Sequence, residues 1–239
     1  KLHIKEFGIS NSSLRVLWCL LLRDWHVLMQ NITGNMINTA IWIGIVIFIN
    51  HYVMPVLGLP SAYSKFMLAG GIVVQMLFQA MTDVSDVVRD LTGNKEVSYT
   101  LALPLPSWMA FTRYALTTGI RGLLMGLFAF PVAAAVMRKG FFFPQASVFK
   151  IGLLYIVLSL FFGFFSVCVT SFTPSMRQYE NVWLRVTFPL WMLGSYAYSW
   201  NVLHKAAPWF SYVALLNPFT YAMEGARAAV LGQYGFLNY

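Results

Sequence analysis

The chain has 239 residues, of which 59% are hydrophobic and only 10% charged, against about 25% charged in an ordinary soluble domain, which excludes a conventional soluble enzyme. Its net charge of +8 comes from 16 Lys and Arg against 8 Asp and Glu, but the basic residues stand singly among apolar runs and form no stripe that could follow phosphates, so no nucleic-acid partner is expected. Aromatic residues make up 17%, which suits a chain whose Trp and Tyr sit at lipid headgroups.

Charge-free windows segment the chain, because a membrane-crossing helix needs about 20 mostly apolar residues. SSLRVLWCLLLRDWHVLMQ (12–30) carries apolar residues at helical spacing, interrupted by Arg15, Arg23, Asp24 and His26. It reads as an amphipathic helix in the membrane interface, since a span beginning this early would put Arg23 and Asp24 deep in lipid. Residues 1–35 therefore form an N-terminal tail and interfacial helix, and 36–200 a transmembrane domain. Its first span is MINTAIWIGIVIFINHYVM (36–54), ended by Pro55, Gly58 and Pro60. The second covers 66–82, after which DVSDVVRDLTGNKEVS (83–98) turns abruptly polar and must leave the hydrocarbon.

LPLP (103–106) breaks the helix, because proline lacks an N–H and disfavours helix in its predecessor. A third span then runs over 108–137, RKGFFFPQAS (138–147) is a loop, and 151–172 is a charge-free fourth span. TPSMRQYENVWLR (173–185) is a polar return before a fifth span at 186–200. Pro208 and Pro218 divide the rest into two short amphipathic pieces, 206–215 and 218–232, within a terminal unit of 201–239. With a cytoplasmic N-terminus, nine basic residues (Lys1, Lys5, Arg15, Arg23, Arg89, Lys95, Arg113, Arg177, Arg185) lie inside and six (Lys65, Arg138, Lys139, Lys150, Lys205, Arg227) outside, which favours that orientation.

Few constellations carry chemistry. There is no GxxxxGK[ST] to cradle nucleotide phosphates, no HExxH, no GxSxG and no pair of acids within a span. No catalytic or metal-binding residue is expected; Cys19 and Cys168 read as small packing residues. Asp83, Asp86, Arg89 and Asp90 recur at spacings that share one helical face, with Lys95 and Glu96 following. That segment reads either as a solvated loop or as a docking helix for a soluble partner. Arg121 is a cation well inside the third span; it either snorkels to the nearer interface or faces a cavity or an acidic partner. Glu224 and Arg227, three apart, can pair across one helical turn. Trp42, Met76, Phe78, Arg121, Trp191 and Tyr196 are candidates for lining a substrate path, although such side chains also commonly face lipid or neighbouring helices.

NPFTYAMEGARAAVLG (217–232) resembles the signature near the end of type-2 ABC transporter permeases, with matches at Asn217, Pro218, Tyr221, Glu224, Arg227, Leu231 and Gly232. LLLRDW (20–25), the charged segment after the second span and LALPLPSW (101–108) agree in order and spacing. The resemblance implies an all-helical, multi-pass protein of a bacterial inner membrane, which pairs with a second copy and with two cytoplasmic ABC ATPase subunits. Those subunits bind ATP and Mg, and this chain holds no cofactor. Loop 83–98 supplies the coupling helix, and the tail helices form a re-entrant extracellular hairpin. Such a protein exports an amphipathic drug, lipid or lipid-linked glycan by alternating access. The family has a sixth span after this signature, so about 20–30 further residues are expected beyond Tyr239. Two other classes remain. A membrane-embedded lipid-modifying enzyme would need clustered ligands, whereas His3, His26, His51 and His204 are dispersed; a channel would need more of a polar stripe than Ser159, Ser166, Thr170 and Ser171 provide.

Overall fold

A computed structural model of the protein describes residues 11–93, 102 and 106–232, and among these every regular element is helical. Helix α1 runs unbroken over Asn11–Phe48 and continues through a π-helical turn (Ile49–Val53) and a 3-10 turn (Met54–Leu57), to end at Gly58 with φ of 90°. The stretch 12–30 is thus continuous with the first span and not a separate helix. At 1.5 Å per residue α1 is about 57 Å long, longer than the hydrocarbon is thick. Only a narrow stripe of it packs inward, through Leu28, Ile43 and Ile47, while Trp18, Trp25, Ile37, Ile41, Ile45 and Phe48 are exposed.

Helix α2 (Tyr63–Thr92) is the centre of the bundle. Leu68, Ala69, Ile72, Val73, Val74, Met76, Leu77, Ala80 and Val84 are all sealed from solvent, the mark of a helix apolar on every side and surrounded by others. It packs against α1, α3 (Ser107–Met137), α4 (Val148–Ser171), α5 (Met176–Val182) and α9 (Pro218–Leu231). The helix of the second span continues through residues 83–92, the first part of the segment read as a solvated loop or a docking helix.

The close approach of α3 to α4 has a residue-level cause. A Cβ on Gly163 would fall on the backbone carbonyl of Ala115, and one on Gly119 would sit 2.5 Å from the carbonyl oxygen of Ser159. Ala115, Gly119, Gly122, Gly126, Ala129 and Ala133 make a small-residue stripe along α3, the device by which helices pack in lipid without a hydrophobic driving force. Gly122 and Gly126 also seat Met76 of α2. Both cysteines lie on the exposed surface and do not pack in the core as expected.

Four helices among the described residues are long and apolar enough to cross a membrane, where the sequence suggested five. The expected fifth span at 186–200 is not one of these, and it is not a continuous helix. The chain is helical from Met176, through α5, a π-helical turn (Trp183–Thr187) and α6 (Phe188–Leu193), which covers about 27 Å. It then breaks at Gly194 and at Ser195, whose φ is 64°. Two contacts fix the break: Gly194 lies so close to Phe219 that a Cβ would come within 2.6 Å of it, and Asn217 Nδ2 donates to the Leu190 carbonyl at 2.6 Å. Arg177, Glu180 and Arg185 make this segment less apolar than the other four.

Residues 200–206, expected to belong partly to that span, form a short helix α7 (Trp200–Ala206) that folds back on α8 (Pro208–Ala214). Trp200 Nε1 donates to the Ser211 carbonyl at 2.9 Å, and the Trp200 and His204 rings stack at 5.0 Å. Helix α9 then re-enters the bundle beside α2, α4 and α6, with Phe219 buried among Phe161, Phe162 and Phe165.

Candidate functional site

Polar groups gather at the two ends of α2. At the end that leads toward α3, Asp24 of α1 meets Arg113 of α3: Arg113 Nε and an Nη donate to the two carboxylate oxygens at 2.6 and 2.7 Å. Thr117 Oγ1 donates to the same carboxylate at 3.2 Å, and Arg23 approaches it at 3.3 Å. The Arg113 side chain is 3% exposed. Such a two-point, charge-assisted contact resolves the problem Asp24 poses to insertion, because each charge enters the bundle already neutralised. The sequence held a signal for this pair, opposite charges in two apolar helices, but the partners are 89 residues apart and no local pattern joins them.

Asp83 and Arg121 form the second pair. Asp83 Oδ1 accepts from Arg121 at 3.0 Å and from Gln79 Nε2 at 3.0 Å, while its Oδ2 is buried with no hydrogen-bond partner among the described residues. Of the other residues expected in a coupling loop, Asp86 is exposed and lies 4.0 Å from Arg89. Asp90 is half-buried one turn further along α2. Lys95 and Glu96 lie outside the described residues. Between α1, α2, α3 and α4 at this end is a cavity of about 950 Å³, whose wall includes Asp24, Asp83, Asp86, Asp90, Arg113 and Arg121.

At the opposite end, the 217–232 signature holds the chain reversal after α6. The Asn217 side chain accepts from Phe219 N at 3.0 Å and so caps α9, which begins with Pro218. Glu224 and Arg227 are fully buried and pair at 3.2 Å. Glu224 also accepts the Trp200 N–H at 3.0 Å, while Arg227 donates to the carbonyls of Tyr196 at 2.6 Å and Tyr198 at 3.0 Å. The Arg227 guanidinium stacks 3.6 Å from the Phe66 ring of α2. Burial pulls its pKa down to about 10, with Glu224 opposing, so it stays charged at neutral pH. Tyr221 is exposed, and Gly232 ends α9 at φ of 94° against the Gln145 side chain, where any Cβ would collide. Two of these matched residues, Glu224 and Arg227, thus bind the loop 194–200 to the bundle, and Asn217 holds the end of α6 through the Leu190 carbonyl.

Of the six candidate path residues, the structure brings four into one row. Trp42 lies 5.1 Å from Phe78, Phe78 5.3 Å from Trp191, and Trp191 5.4 Å from Tyr196, ring centre to ring centre. Met76 faces α3 on another side of α2, against Gly122 and Gly126. Arg121 belongs to the charged end with Asp83. The indole N–H groups of Trp42 and Trp191 are buried without an acceptor among the described residues. No group of three or more His, Cys, Asp or Glu among the described residues could hold a metal ion.

Together these features describe a helical membrane bundle with its charges paired internally. The chain matches the ABC-2 type transporter family over residues 15–231 and belongs to that family. It is accordingly a multi-pass permease of an ABC transporter, in a family whose members serve as transport subunits and work with ABC ATPase partners. No curated protein and no solved structure matches the chain.

Proposed function

We propose that the protein is the membrane half of a bacterial inner-membrane exporter, in which two copies enclose a path and two cytoplasmic ATPase subunits drive it. The family match over residues 15–231 carries this reading. The N-terminus is cytoplasmic, so α1 reaches the outer face near Gly58 and α2 returns, bringing its charged terminus to the ATPase. Asp86 and Arg89 are exposed there, as a docking surface requires. ATP and Mg are held by the ATPase partners and this chain supplies no cofactor. Closure of the ATPases rocks the two permeases as rigid bodies and opens the path to either side in turn.

The substrate is an amphipathic drug, lipid or lipid-linked glycan. Support comes from the aromatic row, in which Trp191 and Tyr196 are buried while Trp42 and Phe78 are only half-buried and keep ring surface for a bulky apolar group. Helices α7, α8 and α9 form the re-entrant hairpin at the outer face, where the exposed Trp209, Tyr212 and Leu216 suit an interfacial setting.

Reversing both carboxylates, Asp86→Lys with Asp90→Lys, is expected to cut the amount of ATPase retained by the purified permease about tenfold, since like charges set against a matched surface are strongly unfavourable. The permease itself should unfold at the same temperature. Retention equal to wild type would remove the end of α2 from the docking surface.

A further inference from the structure

The two ends of the bundle differ in charge as well as in packing. We propose that the end formed by Gly58, the start of α2 and the α3–α4 loop is a docking surface for anionic phospholipid, whose negative headgroup meets Arg138 and Lys150 while its acyl chains lie beside Phe142, Val148 and Phe149. The proposal needs neither the ATPase nor a direction of transport.

Three contacts bring these segments to one end. Tyr52 Oη donates to the Val136 carbonyl at 3.0 Å, Lys65 Nζ to the Phe142 carbonyl at 2.7 Å, and Tyr63 Oη to the Ala197 carbonyl at 2.7 Å. The 138–150 loop, the start of α2 and the segment leading into α7 thus lie together, and they carry Lys65, Arg138, Lys139, Lys150 and Lys205. The acids of the chain are elsewhere. Asp24, Asp83, Asp86 and Asp90 stand at the other end of α2, and Glu180 follows Tyr179, whose Oη donates to the Met81 carbonyl near that same end. Glu224 is fully buried against Arg227. Glu6 and Glu96 lie outside the described residues, in sequence before α1 and between α2 and α3. No Asp or Glu occurs in 49–65, 131–150 or 194–217, so among the described residues no carboxylate neutralises these cations.

The surroundings select a lipid among the anions that the charge would attract. Phe142, Val148 and Phe149 are 68%, 87% and 80% exposed, and they stand among Arg138, Lys139 and Lys150 in the same loop. Beside helices that cross a bilayer, such side chains enter the acyl region and hold the adjacent cations at headgroup depth, where apolar and basic groups act together on an anionic membrane. A soluble anion would use the charge and leave the rings in water. Lys65 is already fixed in the same place, with Nζ on the Phe142 carbonyl and 5.4 Å from the Phe143 ring centre. Its ammonium keeps two further N–H donors for a headgroup. The loop also touches α9, since Ser147 N donates to the Ala229 carbonyl at 3.3 Å, so a bound headgroup bears on the helix that carries the 217–232 signature.

The full-length permease in a non-ionic detergent is titrated with a phosphatidylglycerol that carries a fluorophore on one acyl chain, and in parallel with the phosphatidylcholine of the same chains and label. A cation beside an anionic membrane surface is worth about fivefold in affinity, so wild type should prefer phosphatidylglycerol about tenfold or more. Arg138→Gln with Lys150→Gln should reduce that preference to about threefold or less. Its unfolding temperature without lipid should equal that of wild type, because both side chains are exposed and neither has an ion-pair partner among the described residues. Arg138→Lys with Lys150→Arg keeps the charge and should keep the preference, which separates charge from a disturbed loop. Glycerol 1-phosphate, an anion of the headgroup type without acyl chains, should not displace the bound lipid when in excess. Equal affinity of wild type for the two lipids, a wild-type preference in the double Gln variant, its loss in the charge-keeping variant, or displacement by glycerol 1-phosphate each overturns the proposal. None of these outcomes bears on ATPase retention, which is read from Asp86 and Asp90 in a separate experiment.

Discussion

Arg113→Met is expected to destabilise the permease by about 3–5 kcal/mol, because it leaves Asp24 charged and without its partner inside the bundle. The size follows from geometry. Both Asp24 oxygens are taken by Arg113 and the two side chains are nearly sealed, so water cannot replace the lost contact. Arg23, with its side chain 42% exposed, approaches from the same helix at 3.3 Å and compensates only in part. Asp24→Leu alone should cost a similar amount, by stranding the guanidinium. The double substitution Asp24→Leu with Arg113→Met should recover most of the loss, since an apolar pair of similar volume carries no desolvation cost. Thermal unfolding of the four proteins in one detergent measures this. A double variant as unstable as either single one would mean that the pair does more than neutralise itself.

The second large effect belongs to Arg227. Arg227→Leu removes the donor to the Tyr196 and Tyr198 carbonyls and the partner of Glu224 in one step, and is expected to cost about 3–5 kcal/mol. Arg227→Lys should rescue little. Three acceptors and the Phe66 face surround a planar fork, and a single ammonium on a flexible stem cannot meet that geometry. Glu224→Gln should be milder, about 1–3 kcal/mol, because an amide oxygen still accepts the Trp200 N–H and Arg227 keeps its two carbonyls. Limited proteolysis in the loop 194–200 reads the same ranking locally: Arg227→Leu should be cut fastest and Glu224→Gln only slightly faster than wild type. Equal sensitivity in all variants would show that Arg227 does not hold this loop.

These two clusters also show where sequence reading succeeds and where it stops. The Glu224–Arg227 pair was visible because the residues are three apart on one helix, and helical spacing is a local property. That Arg227 reaches the carbonyls of Tyr196 and Tyr198 was not visible, since backbone acceptors carry no residue signature. The spans 108–137 and 151–172 were read within three residues of their observed limits because LPLP breaks the helix before the third and the fourth is a charge-free run, whose helix starts a little earlier at the Ser147 cap. The length of α1 was misread for a physical reason. Arg23 and Asp24 looked too costly for lipid, and the cost vanishes only when Arg113 arrives from α3. The same holds for Asp83, whose charge closed the second span at residue 82 although it is paired inside the bundle. Charge in an apolar helix marks a boundary only when no partner exists elsewhere, and that is tertiary information. The end of the fifth helical segment depended likewise on contacts of Gly194 and Leu190 with a segment more than twenty residues later.

The claim on which the rest depends is that this permease works with a separate ATPase. The full-length protein, tagged and purified from its native membrane in a gentle detergent, should carry a soluble P-loop ATPase in equal amount, as quantified by mass spectrometry. Repeated recovery of the protein free of any such ATPase, from membranes in which one is expressed, would contradict the account.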